Sequence, residues 1–207
     1  MYFVVTGADR IGNLSVRRER YVEYILSLHR IFSYKVPVIG VLSEVDETLS
    51  DTPPFDAFPF KILNKLHCGA LDGYNKGERE FMSIKSLLPR MEELGISDDE
   101  FIIKSSGRYM LVNDTFFNKV KASQYDDSIC SIIRSDNNIN QYTFLYAIRY
   151  KYFKEFYSKD VSILRYKNIE DATIDFLKDK GLYKGTIVLD NLGILANINN
   201  ENSFMIY

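Results

Sequence analysis

Three short polar segments each follow an apolar run: Thr6-Gly7-Ala8-Asp9, Ser43-Glu44 and Ser105-Ser106-Gly107-Arg108. A fourth, Asn75-Lys76-Gly77, opens a helical pattern. Arg108 can hold a phosphate through two parallel hydrogen bonds. Lys76 adds positive charge beside a helix start, where backbone N–H groups point outward. Gly7 and Gly107 would let the backbone approach a ligand closely. These residue types suit a nucleotide or another phosphorylated ligand. Glycine and polar residues also end many strands for structural reasons alone.

Other reactive side chains form no motif. His29 and His67 are isolated from any partner that would make a general base. His29 falls in a helical pattern, as a surface or edge residue, and His67 abuts Gly69 in an expected loop. Cys68 and Cys130 are far apart and make no Cys-x-x-Cys pair. Their apolar neighbours point to buried thiols in a reducing compartment.

The elements that must position these groups alternate between strand and helix. Tyr2–Thr6 reads as a buried parallel strand ending at Gly7. A helix is predicted from about Ser15, its N-cap, to Tyr34. Tyr21, Tyr24, Ile25, Leu28 and Phe32 line its apolar face, and Arg17-Arg18-Glu19-Arg20 forms a solvated charge run. Val36–Ser43 is a second strand, the proline-bearing stretch 44–59 a loop, and Phe60–Leu63 a third strand. The helix opened by Asn75 carries Phe81, Ile84, Leu87, Leu88, Met91 and Leu94 and stops at Gly95. Pro89 should kink or split it. Phe101–Ser106, Ile129–Arg134, Thr143–Ile148, Ile163–Arg165 and Thr186–Leu189 read as further strands. Tyr150–Ser158 and Ile169–Lys178 read as helices. The fold class expected is α/β: a Rossmann-like sandwich with a central mixed, mostly parallel sheet flanked by helices. Ligands then bind beyond the carboxyl ends of the strands.

Composition bounds the function. The 207 residues hold 26 Lys+Arg against 28 Asp+Glu, a net charge of -2, and 46% are hydrophobic. That excludes a disordered chain. It also argues against a protein built to hold nucleic acid, which needs a basic excess. The longest apolar run, Val36–Leu42, is far short of the roughly 20 residues that span a bilayer. The chain enters a strand at once, with no basic leader. A soluble cytoplasmic protein of one domain is expected. The apolar end Ser203–Tyr207 suggests either a packed strand or the point where a longer protein continued.

One combination is more specific. Lys104-Ser105-Ser106-Gly107-Arg108-Tyr109 follows about 25 residues after Asn75-Lys76-Gly77-Glu78-Arg79-Glu80. Together with Val4-Val5-Thr6-Gly7, it resembles the nucleotide-sugar glycosyltransferases of GT-A type. The likeness extends over essentially the whole chain, which is similar to the N-terminal domain of the members of that family that help build the major-capsid-protein glycan of chlorella viruses. It implies a UDP-sugar donor, a glycan or glycoprotein acceptor, and Mn2+ or Mg2+. In a viral setting the site of action would be the host cytoplasm. The N-terminal half would bind the donor and the C-terminal half would face the acceptor. Uridine would lie against Thr6, Gly7 and Asp9, with Arg10, Ser43 and Glu44 nearby. The diphosphate would face Lys76 and Gly77, with Glu80 on the same helix. Ser106, Gly107 and Arg108 would line the sugar-diphosphate region.

The sequence departs from that family at one point. Metal-dependent members place Asp-x-Asp at the end of the central strand, whereas this chain reads Ser106-Gly107-Arg108. Carboxylates are the usual suppliers of oxygen to a divalent ion. A metal would then be held mainly by the diphosphate, a serine hydroxyl and water, with Asp190 from a late strand as a further candidate ligand and Arg108 replacing part of the metal's charge. The transfer step asks for a carboxylate near the anomeric carbon. Glu170 and Asp171, Asp136 and Glu80 are the candidates, although Glu80, Glu170 and Asp171 also suit helix N-termini.

Two rival readings rest on weaker patterns. Thr6-Gly7 with Gly12, and Tyr150 with Lys154, faintly resemble the short-chain dehydrogenases that use NAD(P). The glycine spacing is wrong for that family, and Tyr146, Tyr150, Phe153 and Tyr157 read better as a core stripe. Arg149, Lys151, Lys154 and Lys159 interleave with aromatics, as in a single-strand nucleic-acid platform. The net charge weighs against it.

Overall fold

The computed structural model describes residues 1–8, 14–45, 54–123, 130–135, 139–189, 192–197 and 204–206. Ten strands and six helices are described. The strands are β1 Tyr2–Ala8, β2 Val38–Val45, β3 Ile62–His67, β4 Phe101–Ser106 and β5 Met110–Leu111, then β6 Cys130–Ser135, β7 Ile139–Arg149, β8 Ile187–Val188, β9 Ile194–Asn197 and β10 Phe204–Ile206. The helices are α1 Leu14–Ser33, α2 Lys76–Lys85, α3 Leu88–Glu93, α4 Thr115–Ala122, α5 Tyr150–Ser158 and α6 Ile169–Asp179.

Seven strands make the main sheet in the order β3-β2-β1-β4-β7-β6-β8. The first four run parallel, β7 is antiparallel to both β4 and β6, and β8 runs parallel to β6. This is the mixed, mostly parallel α/β sheet expected from the sequence. A small second sheet, β10-β9-β5, is antiparallel.

Alternation along each strand divides the core between two faces. Val4, Ile39, Val41, Ile102 and Ile148 pack with Phe81, Ile84, Met91, Phe153 and Phe176 from α2, α3, α5 and α6. Phe3, Val5, Leu42, Ile103 and Leu145 pack with Tyr24, Leu28, Phe116 and Val120 from α1 and α4. Helices therefore cover both faces.

Several local expectations need correction. Helix α1 is described from Leu14, so Ser15 lies within the helix rather than at its cap. Ile25 is exposed, while Ile31 is buried, because the buried stripe is rotated toward Ser27 and Ile31. Strand β3 is shifted to Ile62–His67, which makes His67 a strand end rather than a loop residue. The expected strand at Ile163–Arg165 is instead a 3-10 turn, Val161–Leu164, capped by the Asp160 side chain. Only Ile187 and Val188 of the stretch 186–189 pair as a strand. The helix after Asn75 is split as expected, and Pro89 sits in the first turn of α3, where its missing N–H costs nothing. Tyr146, Tyr150, Phe153 and Tyr157 are all buried in one core.

Candidate functional site

Strand register assembles the site. Parallel pairing puts Thr6 opposite Ser106 and Ala8 opposite Ser43, so the polar ends of β1, β2 and β4 lie side by side. The Ser43 hydroxyl donates to the Gly7 carbonyl at 3.2 Å, and the Gly107 N–H donates to the Thr6 carbonyl at 2.8 Å. The buried Tyr24 hydroxyl clamps the end of β1: it accepts from the Ala8 N–H at 2.9 Å and donates to the Ala8 carbonyl at 3.1 Å. Burial pushes this phenol above its ordinary range.

A cleft of about 1210 Å3 opens over these strand ends. The start of α2 forms one wall and the segment from Leu164 to Glu170 another. Of the residues singled out from the sequence, Thr6, Gly7, Ser43, Glu44, Lys76, Gly77, Glu80, Ser106, Arg108 and Glu170 all line it. Gly107 and Asp171 do not line it. Asp9, Arg10, Asp136 and Asp190 lie outside the described residues.

The two glycines serve packing. A Cβ on Gly7 would stand 2.5 Å from the Phe55 ring, and one on Gly107 would stand 3.0 Å from Val5 and 3.2 Å from Phe55. Phe55, from a 3-10 turn at Pro54–Ala57 inside the expected loop, is buried against both glycines.

The start of α2 carries a capping box. Asn75 accepts from the Glu78 N–H at 3.0 Å, and Glu78 accepts from the Asn75 N–H at 2.8 Å. One helix-end donor is thereby used internally, and a carboxylate already sits at this end of the helix. Lys76 and Gly77 still face the cleft. Arg79 donates to the Tyr74 carbonyl at 2.9 Å and pairs with Glu44. Glu44 has φ 57°, an uncommon left-handed backbone for a residue with a side chain, and it lies at an irregularity in the β2–β3 pairing. The half-buried Cys68 thiol lies 3.2 Å from the Glu44 carbonyl.

At the floor, Lys104 pairs with Glu80 and donates to the Thr143 carbonyl at 2.6 Å. The Thr143 hydroxyl donates to Glu170 at 2.9 Å. Glu80 and Glu170, from different helices, are therefore joined through Lys104 and Thr143. Asp171 is exposed on α6, whose N-cap Asn168 accepts from the Asp171 N–H at 2.7 Å.

Arg108 leaves the end of β4 and meets Glu23 of α1, Nε to Oε2, at 3.3 Å. Its guanidinium lies 5.5 Å from the Tyr109 ring centre. Arg20, one turn before Glu23, also lines the cleft and does not belong to the solvated run expected for it. Burial, and then the charge of Arg108, lower its pKa. Arg20, Arg79, Lys104 and the rim residues Arg165, Tyr166 and Lys167 were not among the site residues read from the sequence. Arg79 and Lys104 stand inside the two motifs already noted. No local pattern marks Arg20, and Tyr166, 91% exposed at the rim, carries only the signal of an aromatic in a polar stretch.

Among the described residues no group of three or more His, Cys, Asp or Glu is placed to hold a metal ion. The end of β4 presents a guanidinium instead.

Tyr150 and Lys154 are outside the cleft. The Tyr150 hydroxyl is buried without a hydrogen bond, and Lys154 lies near Glu92 and Asp98 at 3.9 and 3.8 Å. The geometry does not favour a dehydrogenase pair. Arg149 is buried, 4.0 Å from the Phe101 ring centre, and Lys151 faces Asp99 at 3.6 Å, so these cations are engaged within the fold. No helix is long and apolar enough to cross a membrane among the described residues.

No family model and no curated protein matches the sequence. Solved structures do match the fold. A mannosyltransferase from Pyrobaculum calidifontis, in complex with GDP-mannose and Mn2+, superposes with a TM-score of 0.59 at 10% identity, over 97% of this chain and 58% of its own. A nucleoside-diphosphate-sugar pyrophosphorylase from Vibrio cholerae gives 0.55 at 11% identity, over 93% and 94%. A glycosyltransferase involved in glycosylation of the major capsid of PBCV-1 gives 0.52 at 7% identity, over 91% and 81%. The fold is the Rossmann-like one shared by nucleotide-sugar transferases and nucleotidyltransferases.

Proposed function

We propose that the chain is a glycosyltransferase that takes a sugar from a UDP-sugar and passes it to a glycan or glycoprotein acceptor. The observation that carries this reading is the cleft at the carboxyl ends of β1, β2 and β4, lined by hydroxyls and cations, in a fold of this type. Thr6, Ser43 and Glu44 are assigned to the uridine, with Gly7 holding the strand end and Asp9 and Arg10 following it. Lys76, Gly77, Ser106 and Arg108 are assigned to the sugar-diphosphate, with Gly107 supporting the turn. Uridine and the capsid glycan as acceptor rest on the resemblance of the motifs. Manganese or magnesium, implied by the same resemblance, is not assigned to any side chain.

Glu170 is the carboxylate best placed to act on an acceptor hydroxyl. It lines the cleft, and Thr143 orients one of its oxygens. Glu80 lines the same cleft but is engaged by Lys104. Asp171 is exposed and does not line the cleft, and Asp136 is kept as a candidate from sequence alone.

Thermal shift with UDP, CDP and GDP tests the donor. A shift with UDP well above the other two is expected, and equal shifts would remove the uridine assignment. Release of UDP from a panel of UDP-sugars tests the activity. The similarity to a pyrophosphorylase along 94% of its length favours a second reading, nucleotidyl transfer. Pyrophosphate release from a nucleoside triphosphate and a sugar phosphate, without UDP-sugar turnover, would select it.

A further inference from the structure

A carboxylate that takes a proton during reaction must hold one orientation, because a misplacement of about 1 Å can cost on the order of 100-fold in rate. Glu170 is half-buried in the cleft wall, on the first turn of α6. The Thr143 hydroxyl donates to its Oε1 at 2.9 Å. The question is then what holds Thr143.

Thr143 is 3% exposed on β7 and lines the cleft. It lies past Leu145, the last β7 residue paired with β4. It also falls between Gln141 and Tyr146, where the β6–β7 register shifts. The ladder is therefore irregular at this residue. Lys104 supplies a tie there: its Nζ reaches from β4 and donates to the Thr143 carbonyl at 2.6 Å. Glu80 of α2 in turn holds the ammonium. Threonine is β-branched, so a fixed backbone leaves its χ1 few choices and sets the direction of the hydroxyl. A buried ion pair adds little stability over apolar residues of similar volume. What Lys104 adds here is a fixed point under Thr143. Four elements, α2, β4, β7 and α6, each contribute one residue to the chain Glu80–Lys104–Thr143–Glu170.

We propose that Thr143 and Lys104 are positioning residues for the transfer step, acting through Glu170. In that step the attacking hydroxyl passes its proton to the Glu170 carboxylate. Its oxygen bonds to the anomeric carbon, and the bond from that carbon to the diphosphate breaks with its electron pair leaving on UDP. The inference rests on the reading of Glu170 as the proton acceptor. It goes beyond that reading by naming the residues that keep the carboxylate in place.

Release of UDP from UDP-glucose, UDP-galactose and UDP-N-acetylglucosamine tests it, with the full chain and water as the acceptor. Thr143→Val and Lys104→Met are each expected to lower kcat by about tenfold or more, with the donor KM within about threefold of the parent. Thr143→Ser keeps the hydroxyl and should stay within about threefold of the parent. In a Glu170→Gln background neither substitution should lower kcat by more than about twofold further, because both act through that carboxylate. Circular dichroism checks folding, and Thr143→Ala is the second hydroxyl-free variant if Thr143→Val does not fold. Equal losses in the two backgrounds overturn the inference, since they mark general damage. So does a folded Thr143→Val at parental kcat, or a Thr143→Ser as slow as Thr143→Val. A folded Lys104→Met at parental kcat overturns the part assigned to the lysine. Parental kcat in Glu170→Gln overturns the Glu170 assignment and this inference together, and leaves the glycosyltransferase reading standing. No UDP release by the parent from any of the three donors overturns both the inference and that reading.

Discussion

Lys104, only 1% exposed, is paired with Glu80, which is 23% exposed at the floor of the cleft. The strand presents a lysine on its α2-facing side, where Ile102 belongs to the core, and the helix supplies the carboxylate that makes this tolerable. Removing one partner of a buried pair is costly because the other charge stays behind. Glu80→Gln is therefore expected to destabilise by about 3 kcal/mol. Lys104→Met should cost less, since Glu80 reaches water. The double variant should recover most of the loss in urea denaturation, and simple additivity of the two effects would show that the pair is not coupled.

Gly7 is held by packing. A methyl group there would collide with Phe55, so Gly7→Ala is expected to destabilise by about 1–3 kcal/mol. Adding Phe55→Leu should restore part of the melting temperature. Gly107→Ala meets Val5, Phe55 and the Thr6 carbonyl at 3.0–3.2 Å and is expected to be the milder change. If Gly7→Ala melts like the parent, Phe55 is more mobile than its burial implies.

Alkaline stability should fall steeply. Burial raises the phenols of Tyr24, Tyr146 and Tyr157, and pushes Tyr34 and Tyr150 up to about 12. The folded state keeps these protons when the unfolded chain has begun to lose them near pH 10. Their stabilising contribution is complete below pH 10 and is lost as pH rises toward the folded values. Urea midpoints measured from pH 9 to pH 12 should be level at first and then decline. A flat profile would contradict the burial of these hydroxyls.

Tyr150→Phe separates two enzymes. The buried hydroxyl makes no hydrogen bond, so its removal should be neutral or stabilising by about 1 kcal/mol. Transferase activity should be unchanged. Loss of a nicotinamide-dependent activity in this variant would instead support the dehydrogenase pattern.

Glu170→Gln and Asp171→Asn form the matched test of the proposed chemistry. They are adjacent on α6, yet only Glu170 lines the cleft. The first should lower kcat by about 100-fold or more, the scale of a general base. The second should change it little. Equal effects would mean that both act through the helix end rather than at the reacting carbon.

The sequence by itself determined most of the frame. Apolar runs and the 3.6-residue period are local properties, so β4 and α5 were legible with both ends, and β1 and α2 with their starts. The polar strand ends were legible too, because they interrupt those runs. The short elements were not: β5, β9 and the turn that carries Phe55 hold too few residues for a periodic signal. The partners also required the tertiary structure. Thr6 meets Ser106 through sheet register, Lys104 meets Glu80 across 24 residues, and Arg108 meets Glu23 across 85. Pairings of that separation depend on which faces pack together, and no local pattern carries them. Only the folded chain moved Arg20 from a charge run into the cleft and filled the space beside Gly7 with Phe55, because both follow from how α1 and the Phe55 turn close over one face of the sheet.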